Sequence, residues 1–141
     1  MQETELVRPA VSDLLSPASS PQEVMFSIVV PVMNEVQSVR ILFEKLSAQL
    51  EEVGQRYEVI FVDDGSADGT FGELKKLYDE HPGIVRVIRF RRNFGKTAAL
   101  VAGFSRCQGS IIFTMDGDLQ DDPQEIPRFL EKLDEGYDLV S

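Results

Sequence analysis

Four short runs rich in β-branched and aromatic residues recur along the chain: FSIVVP (26–31), YEVIFV (57–62), VRVIRF (85–90) and SIIFTM (110–115). Helical apolar periods separate them, and this alternation constrains the fold more tightly than any other feature. The first run is continuously apolar, as a strand buried on both faces of a parallel sheet must be. Between the runs, Val39, Leu42, Phe43, Leu46, Leu50 and Val53 fall at steps of three, four and seven, with Gly54 near the end. Thr70 and Glu73 have capping-box spacing ahead of Leu74, Leu77 and Tyr78, and His81-Pro82-Gly83 breaks that helix. Residues 97–107 read as an Ala-rich helix. Asp122 can cap a further one, with Pro123 at its first position, Ile126, Phe129, Leu130 and Leu133 as its stripe, and Gly136 as its stop. A fifth strand begins at Asp138. The order βαβαβαβαβ predicts an α/β, Rossmann-like, mostly parallel sheet with helices on both faces. It occupies residues 25–141. Residues 1–24 contain Pro9, Pro17, Pro21 and Ser19-Ser20 without a sustained period, and are expected to be a flexible tail.

A chain of 141 residues fits one domain. Its formal charge of −10 argues against a nucleic-acid surface, which needs a basic face. The single cysteine, Cys107, excludes an intramolecular disulfide and is expected to be a small buried apolar residue. Residues 1–21 lack the basic-then-apolar pattern of a signal peptide. No apolar run approaches the length of a membrane span, so the chain is expected to be soluble.

Right-handed crossovers bring the carboxyl ends of all parallel strands to one edge, where ligands of such sheets bind. Four clusters fall there: residues 31–35, 63–66, 91–96 and 116–121. In the last, Asp116-Gly117-Asp118 puts two carboxylates one residue apart at the end of a buried strand. Hard oxygens suit Mg²⁺ or Mn²⁺, which would bridge a diphosphate and neutralise the leaving nucleotide. Gly117 permits a tight turn and close approach of a ligand. Asp pairs at turns are also commonly caps, so the motif alone does not decide. Asp63-Asp64 admits two readings, turn formation within DGSADG and acceptance of hydrogen bonds from a base or ribose; both can hold, one Asp for each. In PVMNE, Pro31 ends the strand, Asn34 can cap the first helix and Glu35 can point into the crevice. The basic loop Arg91-Arg92-Asn93-Phe94-Gly95-Lys96 suits a diphosphate, as does the helix start after it, and it also reads as a solvated turn.

Three motifs fail on inspection. Gly95-Lys96-Thr97 lacks the earlier glycine of a Walker loop, because position 90 is Phe90. The calcium-loop pattern from Asp64 has Lys75 where Glu is required. No GxGxxG follows the first strand.

The segments IVVPVMNE, VIFVDDGSADGT, RNFGKTAALVAGF and TMDGDLQDDPQEIP, in this order, resemble glycosyltransferase family 2 with its GT-A fold. DGDLQDDP together with RNFGK is similar to the polyprenyl-phosphate branch, which includes dolichol-phosphate mannose synthases and undecaprenyl-phosphate sugar transferases. The resemblance implies that Pro31, Met33 and Glu35 line a nucleotide pocket, and that Val62 and Asp64 hold base and ribose. It implies that Asp116, Gly117 and Asp118 form the catalytic nucleotide and metal motif, with Gln120 as a further metal ligand and Lys96 near the diphosphate. The activity implied is inverting transfer of a hexosyl group from a UDP- or GDP-linked sugar to a polyprenyl phosphate. An acceptor half, expected beyond Ser141, would complete the enzyme, membrane-associated at the cytoplasmic face. A saccharide acceptor is the alternative within the family. A receiver-like signalling module or an Asp-nucleophile phosphotransferase would want its acidic motif after the first strand, where Pro31 stands. The sheet edge at residues 138–141 can promote a homo-oligomer.

Overall fold

The computed structural model describes residues 3–6, 24, 26–115 and 117. Along them run β1 (Glu3–Leu6), β2 (Phe26–Val32), α1 (Val39–Val53), β3 (Tyr57–Asp63), α2 (Thr70–Glu80), β4 (Val85–Phe90), α3 (Lys96–Phe104) and β5 (Ile111–Thr114). The strands form one sheet in the order β1-β4-β3-β2-β5. Strands β2 to β5 are parallel, as the alternation predicts. The helix and strand expected over residues 122–136 and 138–141 lie outside the described residues.

Part of the expected tail is structured. Glu3–Leu6 pairs antiparallel with β4, Glu3 opposite Phe90 and Leu6 opposite Val87. Four residues are too few to show a period. What recruits them is the unpaired backbone along the β4 edge, a property of the sheet and not of the segment.

Because side chains alternate across a strand, the sheet has two distinct faces. Ile28, Val30, Val59, Phe61 and Val87 meet Leu42, Phe43, Leu46 and Leu50 of α1 and Leu74 and Leu77 of α2. Val29, Ile60, Val62, Ile88 and Phe90 meet Ala99 and Ala102 of α3. The small residues of α3 let it lie close to the sheet, and the Leu-rich stripes of α1 and α2 fill the wider layer.

This division of helices determines where a ligand can sit. The chain steps outward through β2, β3 and β4 with α1 and α2 on one face. It then returns along the other face through α3 and places β5 on the far side of β2. The strand order therefore reverses at β2, and the carboxyl ends of β2 and β5 flank the topological switch point.

At the opposite, amino-terminal end of the strands, polar groups lie inside the protein. Glu58 of β3 is 1% exposed. It accepts from Ser27 Oγ at 2.5 Å, Gln108 N at 2.6 Å and Arg86 Nη1 at 2.8 Å. Arg86 also donates to the Arg106 carbonyl. The network ties β2, β3 and β4 to the segment leading into β5. A buried carboxylate stripped of its cation retains the desolvation cost without the compensation. Arg86→Met should therefore lower the unfolding free energy by about 3–5 kcal/mol, read as a fall in the urea midpoint at constant slope. A loss below about 1 kcal/mol would place the pair in the solvent-screened class.

Candidate functional site at the strand carboxyl ends

The β2–β5 ladder ends at Val29↔Thr114, with Met115 N donating to Val29 O at 3.0 Å, while β2 continues to Val32. Pro31 thus lies inside the strand, opposite Val62, and does not end it as the sequence suggested. It is tolerated because its missing N–H faces the β5 side, past the last register pair. Gly117 is buried against this extension: a Cβ there would lie 2.5 Å from Val32 Cγ1. Packing against β2 therefore already demands glycine at the centre of the DGD motif, apart from any turn or ligand. Asp116, Asp118 and Gln120 lie outside the described residues. Among the described residues, no cluster of three His, Cys, Asp or Glu could hold a metal.

Beyond the β2–β3 ladder, the loops that follow the two strands are clasped together. Asp64 N donates to Val32 O at 3.0 Å. Asn34 adopts φ 54°. Its amide donates to Ser66 Oγ at 2.9 Å, and its Oδ1 accepts from Ala67 N at 2.8 Å. Glu35 N donates to Thr70 Oγ1 at 2.9 Å, and Val36 N to Asp68 Oδ2 at 3.4 Å. Asp68 Oδ1 accepts both the Thr70 amide, at 2.8 Å, and the Thr70 hydroxyl. That hydroxyl holds the exposed Asp68 carboxyl below its usual range.

Two expected caps are absent for this reason. Asn34 does not cap α1, which starts after Ser38 with no side-chain cap. The carbonyl of Glu35 takes the Ser38 and Val39 amides instead. Thr70 is the first helical residue of α2, not its cap, because its hydroxyl is committed to Asp68 and Glu35. The DGSADGT string contained the signal for this clasp in its density of Asp, Ser and Thr, each able to bond nearby backbone. Its partner loop was not readable from spacing.

The paired aspartates divide their work. Asp63 Oδ1 accepts Ser66 N at 2.9 Å and forms the turn. Its Oδ2 is buried with no hydrogen-bond partner among the described residues. Asp64 is 5% exposed and accepts two amides of the basic loop, Phe94 N at 2.7 Å and Gly95 N at 3.0 Å. Sequence reasoning missed this tie. Met33 is exposed, Pro31 and Glu35 are half-buried, and Lys96 is exposed at the start of α3. Val62 is fully buried beneath α3.

The remaining candidates lie elsewhere. His81 packs at a tilt against Phe43, with centroids 4.6 Å apart, and its amide closes α2 on Leu77 O. Cys107 is half-buried, not fully buried as expected. Burial pushes its thiol above the usual range, which leaves it protonated at neutral pH. A shallow pocket lined by Glu51, Arg56, Tyr57, Pro82 and Ile84 lies at the amino-terminal end of the strands, away from residues 31–35, 63–66 and 91–96.

The clasp makes two separable predictions. Asn34→Gly keeps the positive φ and loses the carboxamide, at about 1 kcal/mol. Asn34→Ala should lose about 1–2 kcal/mol more, because a Cβ disfavours the left-handed region. Equal urea midpoints for the two variants would show that the backbone there is unstrained. Asp68, depressed in the folded state, stabilises fully above its unfolded pKa and loses that contribution as pH falls through its lower folded value. Amide exchange at Val36 and Thr70 should therefore stay slow, relative to the intrinsic rate, until the pH drops below the ordinary carboxylate range.

Residues 27–141 match the model of glycosyl transferase family 2. The chain is 43% identical over 114 residues to an undecaprenyl-phosphate 4-deoxy-4-formamido-L-arabinose transferase of Yersinia enterocolitica, covering 81% of this chain and 35% of that protein. It is 40% identical to the enzyme of the same name from Pseudomonas syringae, covering 81% of this chain and 34% of the relative. The chain thus spans about a third of the length of these relatives. Among solved structures it resembles S. aureus TarS (TM-score 0.63, 22% identity, 79% of this chain and 33% of that one). It also resembles a Pyrobaculum calidifontis mannosyltransferase in complex with GDP-Man and Mn²⁺ (TM-score 0.61, 24% identity, 68% and 28%). At these identities the structural likeness establishes the fold, that of GT-A glycosyltransferases. With the loops after β2, β3 and β4 gathered at one sheet edge and a family model matched across residues 27–141, the protein belongs to glycosyl transferase family 2.

Proposed function

We propose that this chain is the nucleotide-sugar-binding part of an enzyme that transfers a sugar from a nucleotide diphosphate donor to a polyprenyl phosphate, with inversion at the anomeric carbon. The observation that carries this reading is the 40–43% identity to undecaprenyl-phosphate sugar transferases. The switch-point geometry supports it. Pro31, Met33, Glu35, Val62 and Asp64 all fall at the carboxyl ends of β2 and β3, and Gly117 packs against Val32 beside them.

The attacking lipid phosphate is already anionic, so no strong general base is needed. What remains for the protein is alignment of the reactants and stabilisation of the leaving nucleotide. The sugar-nucleotide base would lie against the β2 and β3 ends, and the diphosphate near Lys96. Asp116, Asp118 and Gln120 would offer oxygen donors of the kind that suit Mg²⁺ or Mn²⁺. When bound, such an ion supplies charge neutralisation at the diphosphate. No helix of the described residues is long and apolar enough to cross a membrane. The reading places the acceptor at the cytoplasmic face of the membrane, brought to the donor site by segments outside the third of the relatives' length covered here.

Two measurements test this. Titration calorimetry with UDP and GDP should give tighter binding with Mn²⁺ than with EDTA, and Asp118→Asn should abolish the difference; equal affinities would remove the metal from the site. With radiolabelled nucleotide sugar and undecaprenyl phosphate, a protein extended through the acceptor half should move label into the organic phase, whereas the 141-residue chain alone should not. Label appearing only in a water-soluble oligosaccharide would replace the lipid acceptor by a saccharide.

A further inference from the structure

The basic loop between β4 and α3 is held in place by the turn after β3. Asp64 accepts both the Phe94 and the Gly95 amides, one on each carboxylate oxygen. The next residue, Gly65, has φ +81°, and a Cβ there would lie 2.5 Å from the Arg92 carbonyl carbon and 2.6 Å from Asn93 N. Within the loop, the Arg92 guanidinium sits 4.4 Å over the Phe94 ring, and Phe94 packs edge-on against Phe90. Phe94, the side chain that anchors the loop to β4, and Gly95, the residue before α3, are therefore the two points that Asp64 fixes.

We propose that Asp64 is a positioning residue for the 91–96 loop, and that it sets affinity for the donor's diphosphate through that loop. Asp64 is nearly buried, and its two oxygens already point at loop amides. Charge-assisted bonds of this type are among the stronger ones available to a backbone. Gly65 leaves room for the loop to lie directly on the turn. The pair thus holds Arg91 and Lys96 at the sheet edge before any ligand arrives, which is the preorganisation an anionic ligand benefits from. The inference rests on the nucleotide-sugar reading above for the identity of the ligand, but not for the clasp itself.

The experiment compares wild type with Asp64→Asn, which preserves volume, and Gly65→Ala, which leaves the carboxylate in place but intrudes on the loop. Circular dichroism first establishes that each variant is folded. Hydrogen exchange of the ligand-free protein then reports the Phe94 and Gly95 amides. Calorimetry with nucleoside monophosphate and diphosphate, for both uridine and guanosine, gives the affinity gained from the second phosphate. Both variants should expose the two amides. Both should lose about fivefold or more of the diphosphate-over-monophosphate gain, with monophosphate affinity nearly kept. Unchanged exchange at residues 94 and 95 would overturn the positioning role. Equal weakening of mono- and diphosphate would overturn the link to the diphosphate and return Asp64 to the base or ribose. If wild type binds no nucleotide of either kind, the functional reading fails, while the exchange data still decide whether Asp64 holds the loop.

Discussion

The parallel ladder between β2 and β3 is the interaction on which the rest of the structure depends. It runs without a break from Phe26↔Tyr57 to Val32↔Asp63. Because both strands end in register, their following loops emerge side by side. The clasp between residues 34–36 and 66–70 is possible only for that reason. A one-residue slip would turn Ile28, Val30, Val59 and Phe61 away from α1 and α2, and it would separate Asn34 from Ser66 and Ala67. The hydrophobic alternation that fixes the core thus also fixes the strand-end loops.

Polar groups are buried at both ends of this sheet. At the amino end, Glu58 is surrounded by donors from a hydroxyl, an amide and a guanidinium. At the carboxyl end, Asp63 keeps one oxygen without a partner among the described residues. Asp64 is satisfied, but by a loop that carries positive charge. Buried polar networks of this kind tie neighbouring strands and loops to one another wherever their members find partners.

Backbone strain is found at the carboxyl end of β2. Asn34 is the non-glycine residue with positive φ among those described, and it lies at the carboxyl end of β2. Its carboxamide and amide are both used across to the neighbouring loop, which is how the surrounding structure over-determines an unfavourable conformation. Met33 and Glu35, on either side, inherit their placement from it.

The sequence by itself determined the alternation of strands and helices, the two-faced core and the edge at which the charged loops gather. Those follow from local periodicity and from the handedness of crossovers, which need no knowledge of partners. It also marked residues 31–35, 63–66, 91–96 and 116–121 as candidates for the site, because strand ends are legible wherever an apolar run meets Asp, Asn or Gly. Which side chains meet across those loops was decided only by tertiary structure. Asn34 and Thr70 looked like helix caps because capping chemistry is local, and each was claimed instead by a loop some 32–35 residues away in sequence. Glu3–Leu6 became a strand because β4 had an open edge. Gly117 is glycine because Val32 extends beneath it. Asp64 reads as a ligand-binding residue from its position alone, yet its oxygens are committed to Phe94 and Gly95 because α3 approaches the sheet from the opposite face to α1 and α2. Contacts of that range depend on how layers stack, and no spacing within a single segment encodes them.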